Sequence, residues 1–271
     1  MNTLTETRNS PDDLHKRIQA HLEMLSQATD KASKSKEMLR YLSFISMFHT
    51  YSPANIWLIM FSRPDATLVA GFNKWKGLNR WVRAGEKAIP ILAPLLVKQQ
   101  DEDGIQVKRL VGFKTVYVFD VSQTSGEPLP PMPDWKSPQK NEELNRKLIH
   151  FAESQGISVA FKNLPGEMQG CSKGGAVEID HNAGTKTILH EIAHELLHHV
   201  EEIQLSRAER ELEAEAVAFV VGKHFGLENL NSPNYLAFFG ATSVNIATHT
   251  ERIRATANRI ITAIEPYSIG D

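Results

Sequence analysis

The feature that most constrains this chain is the run Gly126-Glu127-Pro128-Leu129-Pro130-Pro131-Met132-Pro133-Asp134-Trp135-Lys136-Ser137-Pro138. Proline fixes φ and has no N–H to give, so five prolines in so short a stretch exclude a helix interior or a central strand. An extended, semi-rigid linker is expected there. It divides the 271 residues into an N-terminal half, 1–125, a linker, 126–138, and a C-terminal half, 139–271. The halves differ in charge. Residues 1–125 hold 17 Lys and Arg against 12 Asp and Glu, whereas residues 126–271 hold 13 against 20. The net charge of −2 therefore conceals a basic half and an acidic half, as expected of two domains with different partners.

Hydrophobic residues at 41% and charged residues at 23% exclude wholesale disorder and a fibrous repeat. No apolar run approaches the roughly 20 residues needed to cross a bilayer, so no membrane partner is expected. The N-terminal segment MNTLTETRNSPDDLHKR has no apolar core of a secretory signal. A lone Cys171 excludes a disulfide framework and a multi-thiolate zinc site. Together these give the expectation of a cytoplasmic protein.

Periodicity predicts an α+β architecture in two domains. In the first half one long helix is expected from about Asp12 to Phe48, with Ile18, Leu22, Leu25, Leu39, Leu42 and Ile45 as apolar positions. A second helix starts at Pro53 and runs through Met60. A short strand over Thr67–Phe72 and a short helix capped by Asn73 follow. Strands at Ile89–Val97 and Val107–Val121 are joined by a polar turn at Asp101–Gly104. The second half is mainly helical with a small sheet. It reads as a helix near Asn141–Gln155, a strand at Ile157–Phe161, a turn at Gly170–Gly175 and a strand at Ala176–Asp180. Helices over Thr185–Glu201, Arg207–Phe225 and Ser243–Ile264 complete it.

The helix over Thr185–Glu201 carries His190-Glu191-Ile192-Ala193-His194, an H-E-x-x-H motif. Residues i and i+4 share a helix face, so both imidazoles reach one metal ion while Glu191 stands beside it as general base. Zinc held there, one per chain, lowers the pKa of a water ligand to about 7. A third ligand must come from elsewhere, and the next helix offers Glu209, Glu211, Glu213 and Glu215. Eighteen residues separate His194 from Glu213. That spacing resembles the H-E-x-x-H-x18-E arrangement of the gluzincin metallopeptidases, which makes Glu213 the expected third ligand and Glu215 the second choice. Glu209 and Glu211 are expected to face solvent or to support the ligands. His198, His199 and Cys171 are expected to be structural rather than ligating. Tyr235, His224 and His249 are candidate donors to a transition-state oxyanion. Ala176–Asp180 is a candidate edge strand for a peptide substrate.

Residues 55–91 hold three of the four tryptophans, Trp57, Trp75 and Trp81, interleaved with Arg63, Lys74, Lys76, Arg80, Arg83 and Lys87. Aromatic faces that stack bases, with cations that follow phosphates, describe a single-strand binder. The alternative is a small core that uses tryptophan for bulk, with a solvated basic rim. The candidate DNA contacts are Trp75, Lys76, Arg80, Trp81, Arg83 and Lys87.

The run Asn55…Pro64-Asp65-Ala66-Thr67…Val69-Ala70-Gly71-Phe72…Trp75…Arg80…Val82-Arg83-Ala84-Gly85-Glu86-Lys87…Ile91-Leu92-Ala93-Pro94 resembles the N-terminal domain of the ArdC anti-restriction proteins. The V-R-x-G-E-K core is its most specific part. The C-terminal half resembles the ImmA/IrrE-type zinc peptidase domain, with Glu213-Ala214-Glu215 standing where E-A-N is commoner. The resemblance implies a single-stranded DNA-binding domain joined to a zinc metallopeptidase-like domain acting on an unidentified protein or peptide. It also implies a role in protecting mobile-element DNA from restriction. Two alternatives remain open at this point. One is a DNA-binding shield with a structural or inactive metal site. The other is an ImmA-type regulatory peptidase that cleaves a repressor.

Overall fold

The computed structural model describes residues 9–27, 31–100, 106–129, 141–199, 205–228, 230 and 243–265. The expected turn at 101–104, Tyr235 and most of the proline run lie outside the described residues. The chain forms two compact units: Met1–His21 with Ala54–Pro130, and Leu22–Pro53 with Pro131–Asp271. The break near residue 130 coincides with the proline run. Within the expected N-terminal domain of 1–125, Leu22–Pro53 groups with the second unit. The expected long helix is two, α1 (Pro11–Gln27) and α2 (Lys31–Phe48), and α2 packs on a helix of the C-terminal half.

The first unit is built on α3 (Pro53–Ser62), β1 (Val69–Gly71), α4 (Phe72–Gly77), β2 (Arg80–Val82), β3 (Ile89–Gln100), β4 (Gln106–Asp120) and β5 (Thr124–Gly126). β1, β4 and β3 form an antiparallel sheet in that order, and β2 pairs with β5. Six consecutive residues of α3, Asn55–Met60, are buried, so this helix is core on all sides. Asn55 is the polar exception. Its amide donates to Leu92 O at 2.8 Å and accepts from Leu92 N at 2.8 Å, which ties α3 to β3. Asp120 ends β4 and organises the following turn. Its carboxylate accepts from Thr67 N, Leu68 N and Ser122 N, and these bonds outweigh burial and hold its pKa down. β2 and β5 were not expected from the sequence. A Cβ on Gly126 would sit 2.2 Å from Asn79 O, so the first residue of the expected linker is a glycine that lets β5 close on β2.

The second unit contains α2, α5 (Glu142–Ser154), β6 (Ser158–Lys162), β7 (Gly170–Ser172), β8 (Ala176–Asp180), α6 (Thr185–His198), α7 (Arg207–His224) and α8 (Ser243–Ile264). The sheet order is β6-β8-β7, with β8 parallel to β6 and antiparallel to β7. β8 is therefore central, not the edge expected, and Val177 and Ile179 turn inward from it. The edges are β6 and β7, the latter inside the segment read as a turn. α7 starts with a capping box. Ser206 Oγ accepts from Glu209 N, and Glu209 Oε2 accepts from Ser206 N. Its buried Ala214, Ala216 and Ala218 give a slim surface where α6 and α8 pack. Among the described residues no helix is long and apolar enough to cross a membrane.

Candidate metal centre and basic face

His190 and His194 lie on one face of α6, as the i,i+4 spacing requires. Their Nε2 atoms are 3.1 Å apart. Each ring has its other nitrogen engaged. His190 Nδ1 is 3.3 Å from Glu215 Oε2, close enough for an ion pair though not aligned as a hydrogen bond. His194 Nδ1 meets His198 Nδ1 at 3.0 Å, and His198 Nε2 meets Glu213 Oε2 at 3.0 Å. A carboxylate only accepts, so His198 donates through Nε2 and its Nδ1 accepts a hydrogen bond from the Nδ1–H of His194. Nε2 of His194 is then left with its lone pair, facing Nε2 of His190. Two such nitrogens at 3.1 Å repel unless a proton or cation lies between them. In a tetrahedral site with Zn–N near 2.0–2.1 Å, two ligand nitrogens stand about 3.3 Å apart. The donor pair fits a divalent ion.

The carboxylate nearest the facing Nε2 atoms is Glu211 rather than Glu213. Glu211 Oε2 lies 3.5 Å from His190 Nε2 and 3.6 Å from His194 Nε2, and these three side chains form one candidate ligand set. Helix geometry explains the shift. Glu211 and Glu215 are one turn apart on the face toward His190, whereas Glu213 is about 200° around from Glu211. Glu213 is fully buried and faces other partners. Besides His198, it binds His249 Nδ1 at 2.7 Å and Arg252 Nε at 3.0 Å. Burial opposes its charge, but these three partners hold its carboxyl down to about 2. It acts on the histidine pair only through His198, by fixing which nitrogen His194 presents. Glu215 also pairs with Lys186. His249, a candidate oxyanion donor in the sequence, is committed to Glu213. His224, another, bonds Ser46 O and Glu265 instead.

Glu191 is buried. Burial pushes its carboxyl up, and neighbouring Glu211 and Glu195 add to the rise against the opposing His190. A raised carboxyl is better matched to proton transfer near neutral pH. Burial also drives His194 down, to about 4, with His190 adding to the effect. β7 runs directly against α6 here. A Cβ on Gly170 would lie 2.7 Å from Glu191 Oε1, so only glycine admits the carboxylate at this point. Glu195, which the sequence reading passed over, locks the turn after β7. It accepts from Ser172 Oγ, Lys173 N, Gly174 N and Gly175 N at 2.6–2.9 Å. The signal was available: a carboxylate on the helix face toward a Gly-Gly turn. Cys171 sits half-buried in β7 with a free thiol.

The six candidate DNA contacts divide. Trp75 is fully buried and donates Nε1–H to Phe119 O at 2.9 Å, so it is core and has no face for a base. Arg80 spends its guanidinium on Thr124 and Glu127 O, clamping β2 to β5. Arg83 binds Ser122 O at 2.6 Å and Glu86. Burial takes Trp75 out of the candidate contacts, whereas the Arg83 side chain stays 49% exposed while it makes these bonds. Lys76 and Lys87 are exposed, and Trp81 is 52% exposed. Phe72, 52% exposed, is a further open aromatic face that the sequence reading did not select.

Residues 9–119 match the family model for the N-terminal domain of anti-restriction factor ArdC. A curated relative, an uncharacterized protein of Bacillus anthracis, is 26% identical over an alignment covering 89% of this chain and 50% of its own length. The chain thus spans about half the length of that relative. Among solved structures, the metal-free antirestriction ArdC protein from the R388 plasmid aligns with a TM-score of 0.48 and 16% identity, covering 80% of this chain and 86% of that one. The Mn(II)-bound form of the same protein gives 0.45 and 16%, covering 85% and 99%.

Proposed function

We propose that this chain joins an ArdC-like unit that binds single-stranded DNA in anti-restriction to a metal-dependent hydrolase of the H-E-x-x-H type, acting on a protein or peptide. The match over residues 9–119 supports the first part. The observation that carries the second is the pair of facing Nε2 atoms, with Glu191 beside them and Glu211 closing the set. His190, His194 and Glu211 would hold the ion, with zinc the favoured metal for two imidazoles and a carboxylate. When bound, such an ion activates water and polarises a carbonyl. Glu191 takes the proton, and the missing side chain of Gly170 leaves room for its carboxylate. Glu213 and His198 keep His194 in the ligating tautomer.

Glu191→Gln is expected to keep one zinc per chain while hydrolysis of a fluorogenic peptide library falls by about 10²–10⁴-fold. Undiminished cleavage by that variant would remove Glu191 from the chemistry. Absence of zinc in the parent, measured by elemental analysis, would leave a DNA-binding protein with an inert site. On the DNA side, affinity for a labelled oligonucleotide is expected to fall with salt at a log–log slope of about −0.7 per phosphate contact. A flat response would count against Lys76 and Lys87 as phosphate contacts.

A further inference from the structure

A second group of metal-ligating side chains lies in the second unit, away from the H-E-x-x-H pair in sequence and made of different residues: His49, His224 and Glu265. Their positions are not random in the fold. His49 is one residue past the end of α2, His224 is the last residue of α7, and Glu265 is one residue past the end of α8. Three helix C-termini therefore meet at one point. The carbonyl ends of three helix dipoles therefore converge, a setting that favours a cation, with Ser46 O and His49 O already accepting from His224 and Arg254.

The second shell is also built. His224 Nδ1 lies 2.7 Å from Ser46 O, a carbonyl that only accepts, so Nδ1 carries the proton and Nε2 is the ligating atom. His49 Nδ1 lies 2.8 Å from Asn258 Oδ1, which presents its Nε2 in the same way. Imidazoles held by an oxygen at Nδ1 are the usual arrangement around a bound metal. The rings stand edge to face with centroids 5.0 Å apart, and Glu265 Oε1 is 2.7 Å from His224 Nε2. With Nδ1 already donating, that last contact needs a second proton shared between ring and carboxyl. A metal ion can take its place, releasing the proton to solvent. The charges nearby do not forbid it. Arg254 donates to His49 O at 3.0 Å, but its charge is matched by Glu251. Lys223 is turned to Ser43 Oγ.

We propose that His49, His224 and Glu265 form a second divalent-metal site, independent of the H-E-x-x-H centre, that fastens the C-terminal ends of α2, α7 and α8. Two imidazoles and one carboxylate select a borderline ion such as Zn²⁺ or Co²⁺ over Mg²⁺ or Ca²⁺.

The test is a Co²⁺ titration of the full chain, read by calorimetry and by visible absorption. The His190→Ala/His194→Ala variant removes the first centre and is expected to retain about one equivalent of Co²⁺. In that background, His49→Ala and Glu265→Gln are each expected to weaken the remaining binding by tenfold or more, and Mg²⁺ to compete weakly. Glu265→Gln keeps a hydrogen-bonding group beside His224, so its fold should survive where His224→Ala does not. A raised melting temperature on adding Co²⁺ in the His190→Ala/His194→Ala background is the second readout, since the ion ties three helix ends. No Co²⁺ bound in that background, or binding indifferent to both His49→Ala and Glu265→Gln, overturns the proposal. It stands or falls separately from the reading of the first centre.

Discussion

Glu213→Ala is expected to lower the unfolding free energy by about 3–5 kcal/mol, whereas Glu211→Ala should change it by no more than about 0.5 kcal/mol. The two residues are two positions apart in the same glutamate-rich stretch but occupy opposite situations. Glu213 is wholly buried and is the common acceptor for His198, His249 and Arg252, so truncation takes one acceptor from all three at once, with His249 itself buried. Glu211 is half exposed and faces only the histidine pair. Metal affinity is expected to respond more strongly to Glu211→Ala, by well over tenfold, than stability does. Urea unfolding and a chelator competition on the same two variants measure both. If Glu213→Ala unfolded like the parent and lost its metal, Glu213 would be the ligand and the placement of Glu211 would be wrong.

The same carboxylate sets a pH dependence. Its folded pKa of about 2 lies below the ordinary 4.5, so its contribution is complete above about pH 4.5 and is lost as pH falls toward 2. A shift of that size corresponds to about 3 kcal/mol. Acid titration of stability is therefore expected to be steeper in the parent than in Glu213→Gln. Parallel curves over that window would show that the carboxylate is not the group being protonated.

Trp75→Ala is expected to cost about 3–5 kcal/mol of stability, and Trp81→Ala less than about 1 kcal/mol, with the effects on DNA reversed. Trp75 is 0% exposed and its indole N–H closes on Phe119 O, so its removal leaves a cavity and an unpaired carbonyl. Trp81 lies largely in solvent. Stacking on an open aromatic is worth about 1–3 kcal/mol per base, so Trp81→Ala should weaken single-stranded DNA binding by roughly five- to 150-fold. Thermal melts and fluorescence anisotropy on the two variants separate the roles. Unchanged affinity in Trp81→Ala would move the DNA surface away from β2.

Much of the fold could be read from residues 53–62, 89–121 and 185–225, because there the apolar spacing is regular and the backbone is bonded within a helix or between strands next to each other in sequence. Boundaries went astray where neighbours decide. β2 and β5 are three residues each and exist only because they pair with one another. β7 reads as a glycine turn, yet β8 recruits it as an edge. The His190–Glu191–His194 face was legible because i,i+4 geometry is local. The choice among Glu211, Glu213 and Glu215 was not, since it depends on how α7 is rotated against α6 and α8.

Local chemistry in the sequence determined most of the helices, the long hairpin, the histidine pair and the glutamate between them, because each follows from short-range spacing. Only the tertiary structure decided that Glu213 is an internal anchor, that Trp75 is core, that Leu22–Pro53 belongs with the second unit, and that His49, His224 and Glu265 meet. Those are relations between residues 15 to 216 positions apart in the chain, set by packing of apolar surfaces that carry no local mark of their partner.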